Sequence, residues 1–366
     1  MKAKHYSGRR SPLPTVGKVF FTLLGGLIVV CVCLLLFFVI TEYRPEEETQ
    51  LTVSGLSGPQ TIRAGQSYDL LTFDIGYCGL DASQDSYREG GVRSGAARLE
   101  NVETNLLAVS ELLTDLTPDF AFLQEVDVNS RRSFGVNQLD ALVAALPGHT
   151  NSFALDHKTP YVPVPVFSPT GRVESGLLSL SSVAVRESIR IRFDGEEAFP
   201  LRLFSQSSCF LVTRVAVENG GELVLINVRF SAADDGGAAR AAQLAQIKAF
   251  LIKELEQGHY IIVGGDWSCQ LPDSEYRNFG YIGSMPGWCS NLPEDTVPTG
   301  FHWATDSNIP TRRSLDKPYE PSESFAVVTD GFLVSDNIET LSVETLDLDF
   351  QNAHHNPVLL SFSLSP

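Results

Sequence analysis

The sequence predicts a layered α/β domain that is preceded by a single membrane-spanning helix. Beyond residue 67, short apolar runs of strand length alternate with two longer stretches in which apolar residues recur at helical spacing. Near the N-terminus, residues 19–41 form an uncharged apolar run that is long enough to cross the hydrocarbon core of a bilayer. Strands and helices that alternate along one long chain are typical of layered α/β folds.

The composition excludes several classes of protein. Of the 366 residues, 43% are hydrophobic, so the chain can bury a large core and is not a disordered or fibrous protein. Only one segment has the length and apolarity of a membrane span, which excludes a polytopic transporter. The formal net charge of −17 argues against a protein that holds nucleic acid by its bulk electrostatics, because that needs a basic face.

Residues 1–18 form a basic tail, and residues 19–41 form the predicted transmembrane helix. The tail has no acidic residue and carries Lys2, Lys4, Arg9, Arg10 and Lys18, whereas acidic residues follow the apolar run. This asymmetry predicts a single-pass protein of the cell membrane, with a cytoplasmic N-terminus and an extracellular C-terminal domain. The alternative is a cleaved signal peptide. A signal anchor is the better interpretation, because the apolar run exceeds the usual ~7–15 residues and no small-residue cleavage site follows it.

Residues 42–66 are predicted to be a linker, and residues 67–366 the extracellular domain. The linker segment is polar, contains glycine and lacks periodicity. Four cysteines lie in the domain, namely Cys78, Cys209, Cys269 and Cys289. Their wide spacing makes a metal–thiolate site improbable. One disulfide is compatible with an extracellular location, for example between Cys269 and Cys289, but the sequence does not assign it.

The elements of the domain follow from its apolar patterns. Eight apolar runs predict strands at residues 68–75, 120–124, 176–182, 209–217, 223–230, 260–264, 325–334 and 358–364. Helices are predicted at residues 96–116 and 238–256. Their apolar stripes are Leu99, Val102, Leu106, Val109 and Leu113 in the first, and Leu244, Ile247, Phe250, Leu251 and Leu255 in the second.

Polar side chains stand where many of these strands end. They are Asp74, Gln124, Glu125, Asn227, Arg229, Asp266, Ser268, Asp330, His354 and His355. The strand ends of open α/β sheets are where ligand crevices form. Carboxylates together with neutral imidazole suit a hard divalent cation and acid–base chemistry. Taken singly, each residue is more often a turn residue or a helix cap; their order along the chain favours a site.

This ordered set resembles the endonuclease/exonuclease/phosphatase family, the deoxyribonuclease-I-like phosphoesterases. The resemblance spans residues 68–366 and is carried by QEVD at 124–127, GGDWSC at 264–269, TDGFLVSD at 329–336 and HNPVLLSFSL from 355. The segments VESGLLSLS from 173 and PTRRSLDKPY from 310 are similar to a membrane-anchored bacterial branch. The resemblance implies a four-layer sandwich, with two mixed β-sheets packed face to face, helices outside them, and one site at one end.

The resemblance also implies roles for individual residues in a phosphoesterase that depends on Mg²⁺ or Mn²⁺. Glu125 is expected to bind the metal with Asp74, and Asp266 to orient or deprotonate the attacking water. Asp330 is expected to support the site, and His355 to contact a phosphate oxygen or to act in acid–base catalysis. Arg229 and Ser268 are expected to bind phosphate.

Four positions depart from the family's pattern. Asp74 stands where Asn is usual, Arg229 where His is usual, Ser268 where Asn is usual, and His354 where Asp is usual. Asp74 places a negative charge near the phosphate, and Arg229 cannot shuttle a proton near neutral pH. Without an Asp at position 354, His355 is expected to lose the partner that fixes its tautomer.

Two functions therefore stay open. One is a membrane-anchored extracellular phosphoesterase of weak or altered activity, and the other is a catalytically inactive domain that binds a ligand or a protein partner. The acidic domain favours a small or lipid-linked phosphoester over nucleic acid. Nucleic acid would become plausible if the two arginine pairs, Arg131–Arg132 and Arg312–Arg313, clustered at the mouth of the cleft. The alternative for these pairs is a solvated loop.

Overall fold

The computed structural model describes residues 13–55, 58–195, 197–231 and 237–366, and it divides into two compact units, Met1–Glu42 and Tyr43–Pro366. The described part of the first unit is one helix, α1 (Leu13–Thr41). Its segment Gly17–Thr41 is long and apolar enough to cross a membrane. Lys2, Lys4, Arg9 and Arg10, on which the predicted orientation rests, lie outside the described residues.

The second unit contains two seven-stranded sheets and one two-stranded ribbon. Its helices are α2 (Leu99–Leu116), α3 (Gln138–Ala145) and α4 (Ala238–Glu256). Its strands are β1 (Glu48–Gln50), β2 (Ser54–Gly55), β3 (Ser67–Asp74), β4 (Phe120–Asp127), β5 (Thr150–Val162), β6 (Gly171–Ser181), β7 (Val185–Arg192), β8 (Cys209–Ala216), β9 (Glu222–Arg229), β10 (Tyr260–Asp266), β11 (Phe301–Ala304), β12 (Arg312–Arg313), β13 (Ala326–Val327), β14 (Asp330–Ser335), β15 (Ile338–Thr345) and β16 (Val358–Leu364).

Both large sheets are mixed. One has the order β1-β7-β8-β9-β10-β14-β11 and the other the order β15-β16-β3-β4-β6-β5-β2, while β12 pairs with β13. Each contains one parallel pair, β9–β10 or β3–β4. A parallel pair needs a crossover connection, and α4 and α2 provide these two crossovers.

The sheets pack face to face, which confirms the predicted sandwich. Their shared core contains side chains from both sheets, among them Phe120, Phe362, Leu225, Ile262 and Phe332. A second core lies between α4 and the first sheet, and a third between α2, α3 and the second sheet. The order is therefore helix, sheet, sheet, helix. Gln124 Nε2 donates a hydrogen bond to Asn227 Oδ1 at 2.8 Å and joins the two sheets near the ends of β4 and β9.

Several predicted boundaries change. The strand predicted at 325–334 is divided into β13 and β14. The predicted linker, residues 42–66, is partly folded: β1 pairs with β7, β2 pairs with β5, and Ile62 is fully buried. These residues therefore do not form a free spacer. All six cysteines lie in the described part of the chain and none is in a disulfide, so Cys269 and Cys289 are not bonded to each other.

Candidate active site

The predicted polar side chains converge at one end of the packed sheets. Asp74, Arg229 and Asp266 are the last residues of β3, β9 and β10. Asp330 begins β14 directly opposite Asp266, and His355 lies shortly before β16. Since the strands of each parallel pair point the same way, their carboxyl ends bring these residues to the same edge. The structure therefore unites residues that are far apart in the sequence.

Glu125 reaches this end through an irregularity in β4. The pairing of β4 with β6 shifts register between Leu123 and Val126. Within this bulge Glu125 has a φ of 54°, a left-handed conformation that is uncommon for a residue other than glycine. Bulges change the direction in which a side chain points and are frequent next to active sites. The strained backbone thus places the Glu125 carboxylate beside Arg229.

Arg229 binds both carboxylates that the resemblance assigned to the metal. Its Nε donates a hydrogen bond to Asp74 Oδ2 at 2.8 Å, and its Nη2 lies 3.0 Å from Glu125 Oε1. Burial opposes ionisation of Glu125, but Arg229 and then Arg132 outweigh it and lower the pKa of Glu125 to about 2. Burial, followed by the charge of Glu125, raises the pKa of Asp74 above its ordinary value.

A divalent cation between Asp74 and Glu125 does not fit this arrangement. Asp74 Oδ2 is bound by Arg229, and Asp74 Oδ1 accepts a hydrogen bond from the Gly76 N–H at 2.9 Å. A metal ion at this position would lie against a guanidinium group, which repels it. Among the described residues, two other groups have ligand atoms close enough together to hold a metal ion, Asp74–His354–His355 and Asp266–Asp330–His355. Glu125 belongs to neither.

His355 retains a carboxylate partner, so the prediction that it loses one is wrong. Its Nδ1 lies 2.8 Å from Asp330 Oδ2, and Thr329 Oγ1 donates to the same oxygen at 2.9 Å. Burial opposes protonation, but the charge and hydrogen bond of Asp330 hold the pKa of His355 above its ordinary value. The other ring nitrogen, Nε2, is buried and has no hydrogen-bond partner among the described residues. Asp330 therefore orients the ring and leaves Nε2 available.

Asp266 is positioned by Ser268. The Ser268 N–H donates to Asp266 Oδ1 at 2.7 Å, and the hydroxyl lies 2.9 Å from both Asp266 Oδ2 and the Phe230 carbonyl oxygen. The single hydroxyl proton is thus used within the protein, and Ser268 is fully buried. This corrects the expectation that Ser268 contacts phosphate. Burial opposes ionisation, but His355 and two nearby arginines hold the pKa of Asp266 below its ordinary value.

His354 packs against its neighbour in the sequence. The rings of His354 and His355 are perpendicular, with centroids 4.2 Å apart. Burial, followed by the charges of His355 and Arg312, lowers the pKa of His354 well below its ordinary value. The His354 ring is therefore neutral at pH 7 and cannot stabilise a charged His355 as a carboxylate would. Asp330 performs that task from β14.

A cleft of about 540 Å³ opens at this end of the sheets. Four arginines line it, namely Arg88, Arg132, Arg229 and Arg312. Arg312 lies over the Trp288 ring, with its guanidinium carbon 3.7 Å from the ring centroid. Arg132 lies over Tyr77 at 4.1 Å. Aromatic faces attract and orient guanidinium groups, so these two arginines have fixed positions. Four carboxylates line the same cleft, Glu89, Glu125, Asp194 and Glu197, so its charges are mixed.

Sequence reasoning did not assign Arg132 and Arg312 to the site, although their RR pairs were noted. One member of each pair lines the cleft. Arg131 is exposed and donates to the Pro169 carbonyl. Arg313 is buried and donates to the carbonyls of Leu80, Asp81 and Gln84. The pairs therefore do not form a basic patch at the mouth of the cleft. QEVD contained a signal for Arg132, because Asp127 of that motif accepts a hydrogen bond from Arg132 at 2.9 Å. No role was assigned to Asp127 from the sequence.

The predicted catalytic residues lie behind the wall of the cleft. Asp266, Asp330 and His355 are each about 1% exposed, and none of them lines the cleft. His354, Arg229 and Arg312 line it instead. A ligand in the cleft would therefore meet the guanidinium groups of Arg229 and Arg312 and the His354 ring before it met these three residues.

The comparisons with known proteins agree with this fold. Residues 92–348, more than half of the chain, match the model of the Endonuclease/Exonuclease/phosphatase family. None of the curated proteins compared with the chain matches it.

Several solved structures share the fold. ANGEL2, described as a 2′,3′-cyclic phosphatase, superposes with a TM-score of 0.54 at 13% identity, over 87% of this chain and 99% of that one. An endonuclease/exonuclease/phosphatase from Beutenbergia cavernae has a TM-score of 0.52 at 13% identity, over 82% and 72%. TDP2 from Caenorhabditis elegans has a TM-score of 0.51 at 14% identity, over 82% and 75%.

Proposed function

This chain belongs to the endonuclease/exonuclease/phosphatase family, and we propose that it is a membrane-anchored phosphoester hydrolase. Its substrate would be a small or lipid-linked phosphoester outside the cell. The observation that carries this proposal is the convergence of Asp266, Asp330 and His355. These residues come from three separate parts of the chain and meet in one buried group behind an arginine-lined cleft.

The residues of the group suggest how hydrolysis would proceed. The guanidinium groups of Arg229 and Arg312 would donate hydrogen bonds to the phosphate oxygens and position the phosphate group for phosphoryl transfer. Asp266, with a depressed pKa, would orient the attacking water. His355, oriented by Asp330, would hold or transfer a proton through Nε2. The resemblance implies Mg²⁺ or Mn²⁺, and this stays a prediction. The ligand atoms of Asp266, Asp330 and His355 are close enough together to hold such an ion. A bound metal ion would supply additional neutralisation of phosphate.

The walls of the cleft favour an amphiphilic or small ligand over a polynucleotide. Val164 and Leu201 line the cleft and are 45% and 62% exposed. Phe167, on the same loop as Val164, is fully exposed. Buried arginines with exposed apolar side chains suit a phosphate group that is attached to an apolar body. The net charge of −17 opposes a long polyanion.

The membrane location is part of the proposal. Its supports are the apolar helix α1 and the basic residues that precede it in the sequence. Protease treatment of intact cells tests it, because an extracellular domain should be digested while an N-terminal tag stays protected. Protection of both ends would contradict the proposed orientation.

A second candidate function is ligand binding without hydrolysis. It is favoured by one observation, that the walls of the cleft separate Asp266, Asp330 and His355 from its interior. In that case the cleft would bind a phosphorylated ligand through its arginines and leave it intact.

Phosphate release by the full chain in detergent micelles separates the two functions. Substrates would be a phospholipid with a phosphomonoester headgroup, a nucleotide and single-stranded DNA, each with EDTA, Mg²⁺ or Mn²⁺. We expect turnover of the first two, with loss of activity in His355→Ala and full activity in His302→Ala, whose imidazole is 42% exposed. Ligand binding without turnover would favour the second function, and preferential cleavage of DNA would contradict the substrate class.

A further inference from the structure

Asp74 and Glu125 form a pair of buried carboxylates at the ends of adjacent strands. Asp74 is fully buried and Glu125 is 6% exposed. The charge of Glu125 acts directly on Asp74. Two carboxylates that share a site cannot both ionise without a compensating cation. The structure shows which cation compensates them.

Arg229 lies between the two carboxylates. Nε contacts Asp74 at 2.8 Å and Nη2 contacts Glu125 at 3.0 Å. The planar guanidinium group therefore uses two of its nitrogen atoms to bridge the two acids, as a rigid fork can. Arg229 is also close enough to Asp266 to affect its ionisation. A positive charge thus lies permanently where the resemblance places a divalent cation.

Arg312 supplies hydrogen-bond donors that the protein itself does not satisfy. It is 4% exposed, and its Nη2 donates to Glu89 Oε1 at 2.9 Å. Its Nε and Nη1 have no hydrogen-bond partner among the described residues. The carboxylate of Asp266 is 3.8 Å from Nη1, too far for a hydrogen bond. Buried unsatisfied donors are costly, and because Arg312 lines the cleft, a phosphate group bound there would offer it an acceptor.

We propose that Arg229 takes the place of the divalent cation between Asp74 and Glu125, so that the cleft binds a phosphate group through Arg229 and Arg312 without added metal. The inference rests on the proposed function only for its ligand, a phosphoester. It accounts for two departures from the family's pattern at once, because Asp74 and Arg229 are bound to each other. Phosphate binding and hydrolysis are therefore separable.

Calorimetric titration of inorganic phosphate into the full chain in detergent tests the inference. The titration is done in EDTA and repeated with Mg²⁺ or Mn²⁺. We expect phosphate to bind in EDTA, before any metal ion is added, with a dissociation constant that the titration can measure. Arg312→Gln should weaken binding about 10-fold or more, the scale for losing hydrogen bonds to a charged group. Phosphate binding that requires Mg²⁺ or Mn²⁺ would overturn the inference.

A charge-neutral double variant gives a second test. Arg229→His with Asp74→Asn restores the usual residue types, and it should lose affinity in EDTA and regain it with Mn²⁺. The matched control is Arg277→His with Glu275→Gln, an exposed ion pair at 3.6 Å, which should behave like the wild type.

If the double variant does not fold, the wild-type titrations still decide whether phosphate binds without metal. If phosphate binds in EDTA but no substrate is hydrolysed, only the proposed hydrolysis is refuted. If both hydrolysis and phosphate binding need a metal ion, only the role of Arg229 is refuted.

Discussion

Arg229 and Asp74 are bound to each other at 2.8 Å across the two sheets. Each occupies a position where the family's pattern has a different residue. Arg229 ends β9 in one sheet, and Asp74 ends β3 in the other. A carboxylate repels a nearby phosphate, and a guanidinium group that neutralises the carboxylate removes this repulsion. The two departures from the family's pattern therefore compensate each other in charge, so Arg229 and Asp74 act as one ion pair.

The first prediction concerns the stability of this unit. Arg229→Met should lower the free energy of unfolding by about 3–5 kcal/mol, because it leaves the Asp74 and Glu125 carboxylates buried without their cation. Adding Asp74→Asn should recover part of the loss. Chemical denaturation of the full chain measures both effects. The control Arg277→Met, at an exposed arginine, should have little effect; an equally small effect of Arg229→Met would contradict the bridging role.

The second prediction concerns acid stability. The pKa of Glu125 is about 2 in the folded protein, against about 4.3 when unfolded. A depressed pKa stabilises the folded state above the unfolded value, and this contribution of about 3 kcal/mol is lost as the pH falls from about 4 through 2. Glu125→Gln should therefore flatten the pH dependence of unfolding in that window. Glu100→Gln, at an exposed position of α2, is the control. An unchanged slope in Glu125→Gln would refute the assignment.

Most of the layered fold could be predicted from the sequence because its central strands are continuous apolar runs. The predicted bounds of β16 and α4 agree with the structure residue by residue. Seven strands were missed, and the three longest of them, β5, β7 and β15, contain many polar or partly exposed residues. Backbone hydrogen bonds to neighbouring strands stabilise such segments whatever their side chains, and a single sequence does not contain that information.

The sequence predicted some of the residues that meet at this end of the sheets, but not Arg132 or Arg312 and not how the side chains pair. Strand ends identified Asp266, Asp330 and His355, because their positions follow from the order of the elements. The partner of His355 was sought in the adjacent residue, yet Asp330 provides it from another strand. The bridge from Arg229 to Glu125 depends on a bulge in β4. Contacts of this kind arise from side-chain directions across two sheets, which periodicity alone does not reveal.

The third prediction concerns Asp156, a buried residue of β5 with one oxygen that has no hydrogen-bond partner among the described residues. Burial raises its pKa to about 7, from about 3.9 when unfolded. A raised pKa stabilises the fold below about pH 4, and the contribution is lost as the pH rises through about 7.

Asp156→Asn removes this titration. Its thermal midpoint relative to the wild type should therefore increase between about pH 5 and pH 8, by the equivalent of about 3 kcal/mol. Asp115→Asn, at an exposed position of α2, should show no such increase. A constant difference between Asp156→Asn and the wild type at both pH values would contradict the raised pKa.

The fourth prediction concerns the Asp330–His355 pair. Asp330→Asn removes the carboxylate that holds the pKa of His355 above its ordinary value against the opposing effect of burial. The titration midpoint of His355, followed by NMR of ring-labelled histidine, should fall. Hydrolysis should decrease by up to about 10⁴-fold, the scale known for the loss of the carboxylate from a catalytic Asp–His pair.

The matched control is Asp336→Asn, because Asp336 lies 3.2 Å from Nδ1 of the exposed His302. It removes the same kind of pair away from the site and should leave hydrolysis unchanged. A purely structural role for Asp330 would lower stability without moving the His355 midpoint. Unchanged hydrolysis in Asp330→Asn, together with a lower His355 midpoint, would show that the ring is oriented by Asp330 but takes no part in proton transfer. The NMR and kinetic readouts therefore separate a positioning role of Asp330 from a structural one.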